Sequence, residues 1–122
     1  MYGLPKDLDL SFFVGKRLDQ ISFAQSVVFF FFDDKTSITL ESSFQHQTRR
    51  DVENLHLGVI QSVPVTHSTL MQLVGHSVVS ASGDDEGTLS LTFDDGQILG
   101  CIEHRSPYES YNFTDGEHLY VV

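Results

Sequence analysis

Val27-Val28-Phe29-Phe30-Phe31-Phe32-Asp33-Asp34 decides how this chain is read. Successive side chains on a strand point to opposite faces, so two valines followed by four phenylalanines make a strand that is apolar on both sides. Such a strand needs cover twice, from a core on one face and from a helix, a second sheet or another subunit on the other. A weaker echo comes at Leu89-Ser90-Leu91-Thr92-Phe93-Asp94-Asp95.

The surroundings of the two strands also match. Phe13-Val14-Gly15-Lys16 returns as Leu73-Val74-Gly75-His76, Phe32-Asp33-Asp34 returns as Phe93-Asp94-Asp95, and Ile38 returns as Ile98. This predicts an internal pseudo-repeat, 9–44 and 68–104, followed by a C-terminal hairpin over 108–122, all within one domain of residues 1–122. Each copy is expected to open with a short helix ending at glycine. Asp9 would cap Leu10 to Val14 before Gly15, and Thr66 or Ser68 would cap Thr69 to Val74 before Gly75.

A meander of strands follows each glycine. Asp95-Gly96 suggests a two-residue hairpin, which would pair Phe93 with Ile98, Leu91 with Gly100 and Leu89 with Ile102, and would turn Cys101 to the less apolar face. Asp115-Gly116 would likewise pair Thr114 with Glu117, Phe113 with His118 and Tyr111 with Tyr120. Between the copies, Gln45 to Asp51 reads as a polar loop or strand end, and Leu55 to Val63 as a strand that Pro64 ends or places at an edge. The expected fold is therefore α+β, mainly antiparallel β, with two helix-then-meander repeats forming one sheet, a sandwich or a half-open barrel.

Composition narrows the function. Of 122 residues 40% are hydrophobic and 20% charged, and 17 Asp and Glu against 7 Lys and Arg leave a formal charge of −10. Like-charge repulsion speaks against nucleic acid and anionic membranes as partners and favours a basic protein. One cysteine, Cys101, allows neither an internal disulfide nor a cysteine metal cluster, and no apolar run is long enough for a membrane span. A cytoplasmic setting is expected.

No residue pattern announces a reaction. His46, His56, His67, His76, His104 and His118 lack the H-E-x-x-H spacing of a zinc site. Asp33-Asp34, Asp84-Asp85-Glu86 and Asp94-Asp95 sit at expected turns, where Asp serves local hydrogen bonding. The most individual run is Pro107-Tyr108-Glu109-Ser110-Tyr111, and Tyr108, Glu109, Tyr111, His118 and Tyr120 are the expected binding residues, with no metal or cofactor.

Leu10-Ser11-Phe12-Phe13-Val14-Gly15-Lys16, Gly87 to Gly96 and Tyr108-Glu109-Ser110-Tyr111 together resemble a family of small uncharacterised bacterial proteins. That resemblance implies no activity. In size and style the chain is similar to small immunity proteins of bacterial toxin systems. The sequence thus points to a non-catalytic protein-binding module that neutralises a basic partner. The alternative is a small-ligand-binding domain with an aromatic pocket between the halves, and an enzyme built from scattered Asp, Glu and His is the third reading. The doubly apolar phenylalanine strand adds the expectation of a homodimer.

Overall fold

The computed structural model describes residues 4–103 and 109–122. Among these residues ten strands make two five-stranded antiparallel sheets. Sheet 1 contains β1 (Leu18–Phe23), β2 (Val28–Phe32), β3 (Ser37–Leu40), β9 (Tyr111–Thr114) and β10 (Leu119–Val121), in that order. Sheet 2 contains β6 (Val78–Gly83), β7 (Leu89–Phe93), β8 (Ile98–Ile102), β4 (Ser43–Gln47) and β5 (Ile60–Ser62). Each sheet therefore borrows its outer hairpin from the other half of the chain.

The inner faces share one core, which includes Phe13, Leu18, Phe30, Ile38, Phe44, Leu73, Leu91, Leu99 and Phe113. Phe30 and Phe32 point into it, while Phe29 and Phe31 stack on the outer face of sheet 1 with ring centroids 5.8 Å apart. One face of the phenylalanine strand is thus covered, and Phe31 remains 39% exposed on the other.

Strand for strand the two sheets are built alike. β1 pairs with β2 through a bulge after Leu18, and β6 pairs with β7 through a bulge after Val78. Val28 faces Leu40 and Phe30 faces Ile38, just as Leu89 faces Cys101 and Leu91 faces Leu99. At the seam the backbones exchange reciprocal bonds: Gly15 N–H donates to Val78 O and Gly75 N–H to Leu18 O, each at 2.8 Å. Ile38 then faces Phe113 across sheet 1, and Leu99 faces His46 across sheet 2. Phe113 and His46 hold matching places.

Several expectations change. Of the expected arrangements, one sheet, a sandwich or a half-open barrel, the chain takes one with two sheets. The two expected α-helices are single 3-10 turns, Ser11–Phe13 and Leu70–Leu73, because three or four residues cannot sustain an α-helical ladder without more packing. The α-helix seen among the described residues, α1 (Arg49–Glu53), begins where a polar loop or strand end was expected, held by a Thr48–Asp51 capping box. The rest of that segment is β4, whose Phe44 and His46 point inward.

Both hairpin registers also shift. Leu91 faces Leu99 and Thr92 faces Ile98, because Phe93 N–H bonds Gln97 O and the loop holds three residues, Asp94 to Gly96. A one-residue shift flips the strand: Leu99 and Cys101 enter the core, and Ile98 and Ile102 turn outward. In the C-terminal hairpin Tyr120 faces Phe113 and Leu119 faces Thr114, across a four-residue loop. No helix among the described residues is long and apolar enough to cross a membrane.

Candidate functional site

The matched places in the two sheets diverge at one point. In sheet 1, Phe113 lies under Phe12 and Tyr120, with ring centroids 6.0 Å and 5.2 Å away, and Phe13 adds a fourth ring at 5.6 Å. Aromatic rings fill the space. In sheet 2 the counterpart of Phe12 is Gln72, by the match of Leu10-Ser11-Phe12-Phe13 to Leu70-Met71-Gln72-Leu73. The counterpart of Tyr120 is Val59, since Gln45 faces Ile60 and one further step along that register brings Val59 opposite His46. Where sheet 1 has rings, sheet 2 has a cleft of about 450 Å³, lined by His46, Asp51, Val59, His67, Ser68 and Thr69 among others.

His46 is only 4% exposed and both ring nitrogens are engaged. Nε2 lies 2.8 Å from Gln97 Oε1 and Nδ1 lies 2.7 Å from Thr69 Oγ1. The network fixes the protons. Gln97 Nε2 donates to Gln72 O at 2.9 Å and to Asp95 Oδ2 at 2.8 Å, so Gln97 Oε1 faces the imidazole and can only accept. The hydrogen therefore sits on His46 Nε2, and Nδ1 accepts from the Thr69 hydroxyl. Burial lowers the His46 pKa, against the opposing pull of Gln97, Asp51 and Asp95, and so favours the neutral ring. Gly58, with φ 80°, forms part of the wall, and a side chain there would collide with His46 O.

A second cleft, of about 380 Å³, runs over the outer face of sheet 2. Ile60, Ile98 and Ile102 supply apolar surface, Gly100 lies between them, and Asp84 and Glu86 stand at the side. β5 forms one edge of this sheet, bonded to β4.

His76, Asp94 and Asp95 also converge, with ligand atoms within 4.8 Å of one another. His76 Nδ1 lies 2.7 Å from Asp94 Oδ1, and this bond, reinforced by the Ser77 N–H, lowers the Asp94 pKa. The matching turn of sheet 1 is clamped in the same manner by Lys16 Nζ on Asp34 Oδ2 at 3.0 Å. An ammonium cannot ligate a metal, so a side-chain nitrogen tying down an Asp-Asp turn is the feature common to both.

The residues singled out in the sequence do not gather in one place. Tyr111 is fully buried and its hydroxyl donates to Gly87 O at 2.6 Å; burial, above all, raises its pKa. Tyr120 is half-buried on the Phe12–Phe113 stack. His118 is exposed, 6.3 Å from the Tyr120 ring and beside Asp115. Glu109 accepts from Asn112 Nδ2 at 2.8 Å and, secondary to burial, helps raise the pKa of Glu41. Tyr108 and His104 lie outside the described residues. Cys101 is buried and its thiol is pushed up to about 12.

What the sequence reading missed was His46 and the outward isoleucines. Phe44-Gln45-His46-Gln47 alternates strictly and could have placed His46 beside Phe44 on the inner face. Ile98 and Ile102 were hidden by the one-residue error in register.

The chain matches a family of unknown function, DUF6188, over residues 10–122, and it belongs to that family. No curated protein and no solved structure matches it.

Proposed function

From membership of a family without an assigned activity, we propose that this chain is a protein-binding module that takes a basic, extended segment of its partner on the outer face of sheet 2. The observation that carries this reading is the cleft in which Ile60, Ile98 and Ile102 lie beside Asp84 and Glu86. Apolar surface at the centre supplies burial, and acid groups at the side select cationic residues. The overall charge of −10 adds long-range attraction for such a partner. The open edge of β5 offers backbone groups to an added strand.

The test is calorimetric titration with a peptide of alternating lysine and isoleucine, at low salt and again at roughly 0.3 M salt, where screening is nearly complete beyond a few ångströms. Saturable binding, weakened by salt and by at least tenfold in Ile98→Lys, supports the reading. Absence of saturable binding, or equal affinity in Ile98→Lys, removes it.

A second reading has its own observation. Phe29 and Phe31, stacked on the outer face of sheet 1, favour a homodimer in which a second copy covers them. Sedimentation of the wild type against Phe31→Lys decides it: a dimer that dissociates in the variant supports the assembly, and a monomeric wild type ends it.

A further inference from the structure

The polar group at the bottom of the His46 cleft is not required by the fold. At the matching place in sheet 1 the chain uses Phe113, fully buried and capped by rings. Burying an imidazole in its place, with a glutamine and a threonine to satisfy it, costs desolvation that an apolar side chain would avoid. The second half then leaves the position above open, with Val59 and Gln72 where the first half has Tyr120 and Phe12. A costly buried network beneath an unfilled cleft is the combination expected of a chemical site.

The order of the network supplies the chemistry. Thr69 is exposed and lines the cleft, its hydroxyl 2.7 Å from His46 Nδ1, and Gln97 holds the far side of the ring at 2.8 Å. This is a hydroxyl, a base and an orienting group in sequence, each within hydrogen-bond reach of the next. Gln97 is itself held by Gln72 O and Asp95.

We propose that Thr69 is an acylatable hydroxyl, with His46 as its base and Gln97 as the residue that positions the base, and that the cleft takes a carboxylic ester. Thr69 Oγ1 bonds to the ester carbonyl carbon while His46 Nδ1 takes the hydroxyl proton. The ester C–O bond breaks, and the same proton leaves with the alkoxide as an alcohol. Water then attacks the threonyl ester by the reverse path and releases the carboxylic acid. Thr69 and His46 are the catalytic residues, and Gln97 is a positioning residue.

The experiment exposes the intact chain to a fluorophosphonate, which forms a bond from an activated hydroxyl oxygen to phosphorus as fluoride departs with the proton. The adduct is located by mass spectrometry. One adduct at Thr69 is expected, absent in Thr69→Val, retained in Thr69→Ser and slowed at least tenfold in His46→Phe. Val59→Tyr, which copies the ring of sheet 1 and leaves the three residues in place, should block it by filling the cleft. The labelling rate should rise with pH as the imidazole loses its proton, at a midpoint below 6.5 because burial outweighs Asp51 and Asp95, the carboxylates that act on His46. No adduct in the folded wild type, or an equal rate in folded His46→Phe, overturns the proposal. Should His46→Phe not fold, unchanged labelling in Val59→Tyr overturns it as well.

Discussion

Phe113 and His46 occupy matching places in two sheets of the same design, and their surroundings have been treated in opposite ways. Around Phe113 the rings of Phe12, Phe13, Tyr111 and Tyr120 gather beside Ile38, and the side chain is fully buried. Around His46 each polar atom has a partner and the space above is open. The contrast separates what the fold needs at that place, a buried side chain of sufficient volume, from what one half alone has added to it. It also extends to the next position: Gln97 joins three residues, His46, Gln72 and Asp95, through four hydrogen bonds, whereas its counterpart Thr36 is buried with an Oγ1 that has no hydrogen-bond partner among the described residues.

The strongest way to break the comparison is Phe113→Ala. Removing a fully buried ring from a closed stack should cost about 3–5 kcal/mol in denaturant unfolding. A loss under about 1 kcal/mol would show that the stack is not the closed counterpart it is taken to be. Gln97→Val should come next, at about 1–3 kcal/mol, because it strands His46 Nε2 in the core. Its mirror, Thr36→Val, should be neutral or stabilising by up to about 1 kcal/mol, since it deletes a buried hydroxyl with no partner among the described residues. If both substitutions cost the same, the polar network is not what distinguishes the halves.

A smaller gain tests the turns. Asp34 and Lys35 both have positive φ, at 56° and 63°, and Lys35 stands where the other half has Gly96. A non-glycine residue in that region costs roughly 1 kcal/mol, so Lys35→Gly should raise stability by somewhat less than that, measured by thermal unfolding.

The last prediction is a slope. The His46 pKa is lowered on folding, so the unfolded chain takes up this proton first. Its contribution to stability is complete above the ordinary value of 6.5 and is lost as pH falls from there towards the folded value. Asp94, Asp51 and Asp115 also have lowered values, but their contributions fade only below 3.8. A pH titration of unfolding free energy should therefore begin to decline below 6.5, with a further decline below 3.8, and His46→Phe should remove the decline that sets in below 6.5.

How much of this was readable beforehand depended on range. The strands and their punctuation were legible, since alternation and Asp-Gly turns are local signals. Register was not, and the reason is specific. A type I′ turn needs positive φ at both central residues, and among Asp95-Gly96 and Asp115-Gly116 only the glycines adopt it, at 94° and 99°. The longer loops that result moved Ile98 to the surface and Cys101 into the core. Among the described residues, two successive positive φ values occur at Asp34-Lys35, a pair that contains no glycine. The His46 network was beyond local reading, because Thr69, Gln97 and His46 are brought together by the β4–β8 pairing and the second 3-10 turn. Tyr111 stood out by its neighbours in sequence, yet it is used in the core.

The exchange of hairpins between the sheets has a consequence for how the chain can be cut. Neither half carries all five strands of a sheet: the first lacks the β9–β10 edge, and the second lacks the β4–β5 edge. A fragment ending near Pro64 and one beginning near His67 should each stay unfolded alone, since closure requires contacts far apart in sequence. Mixed together they should regain the native spectrum at a rate set by concentration. On that expectation the interlock of the two sheets would stand in for the continuity of the chain.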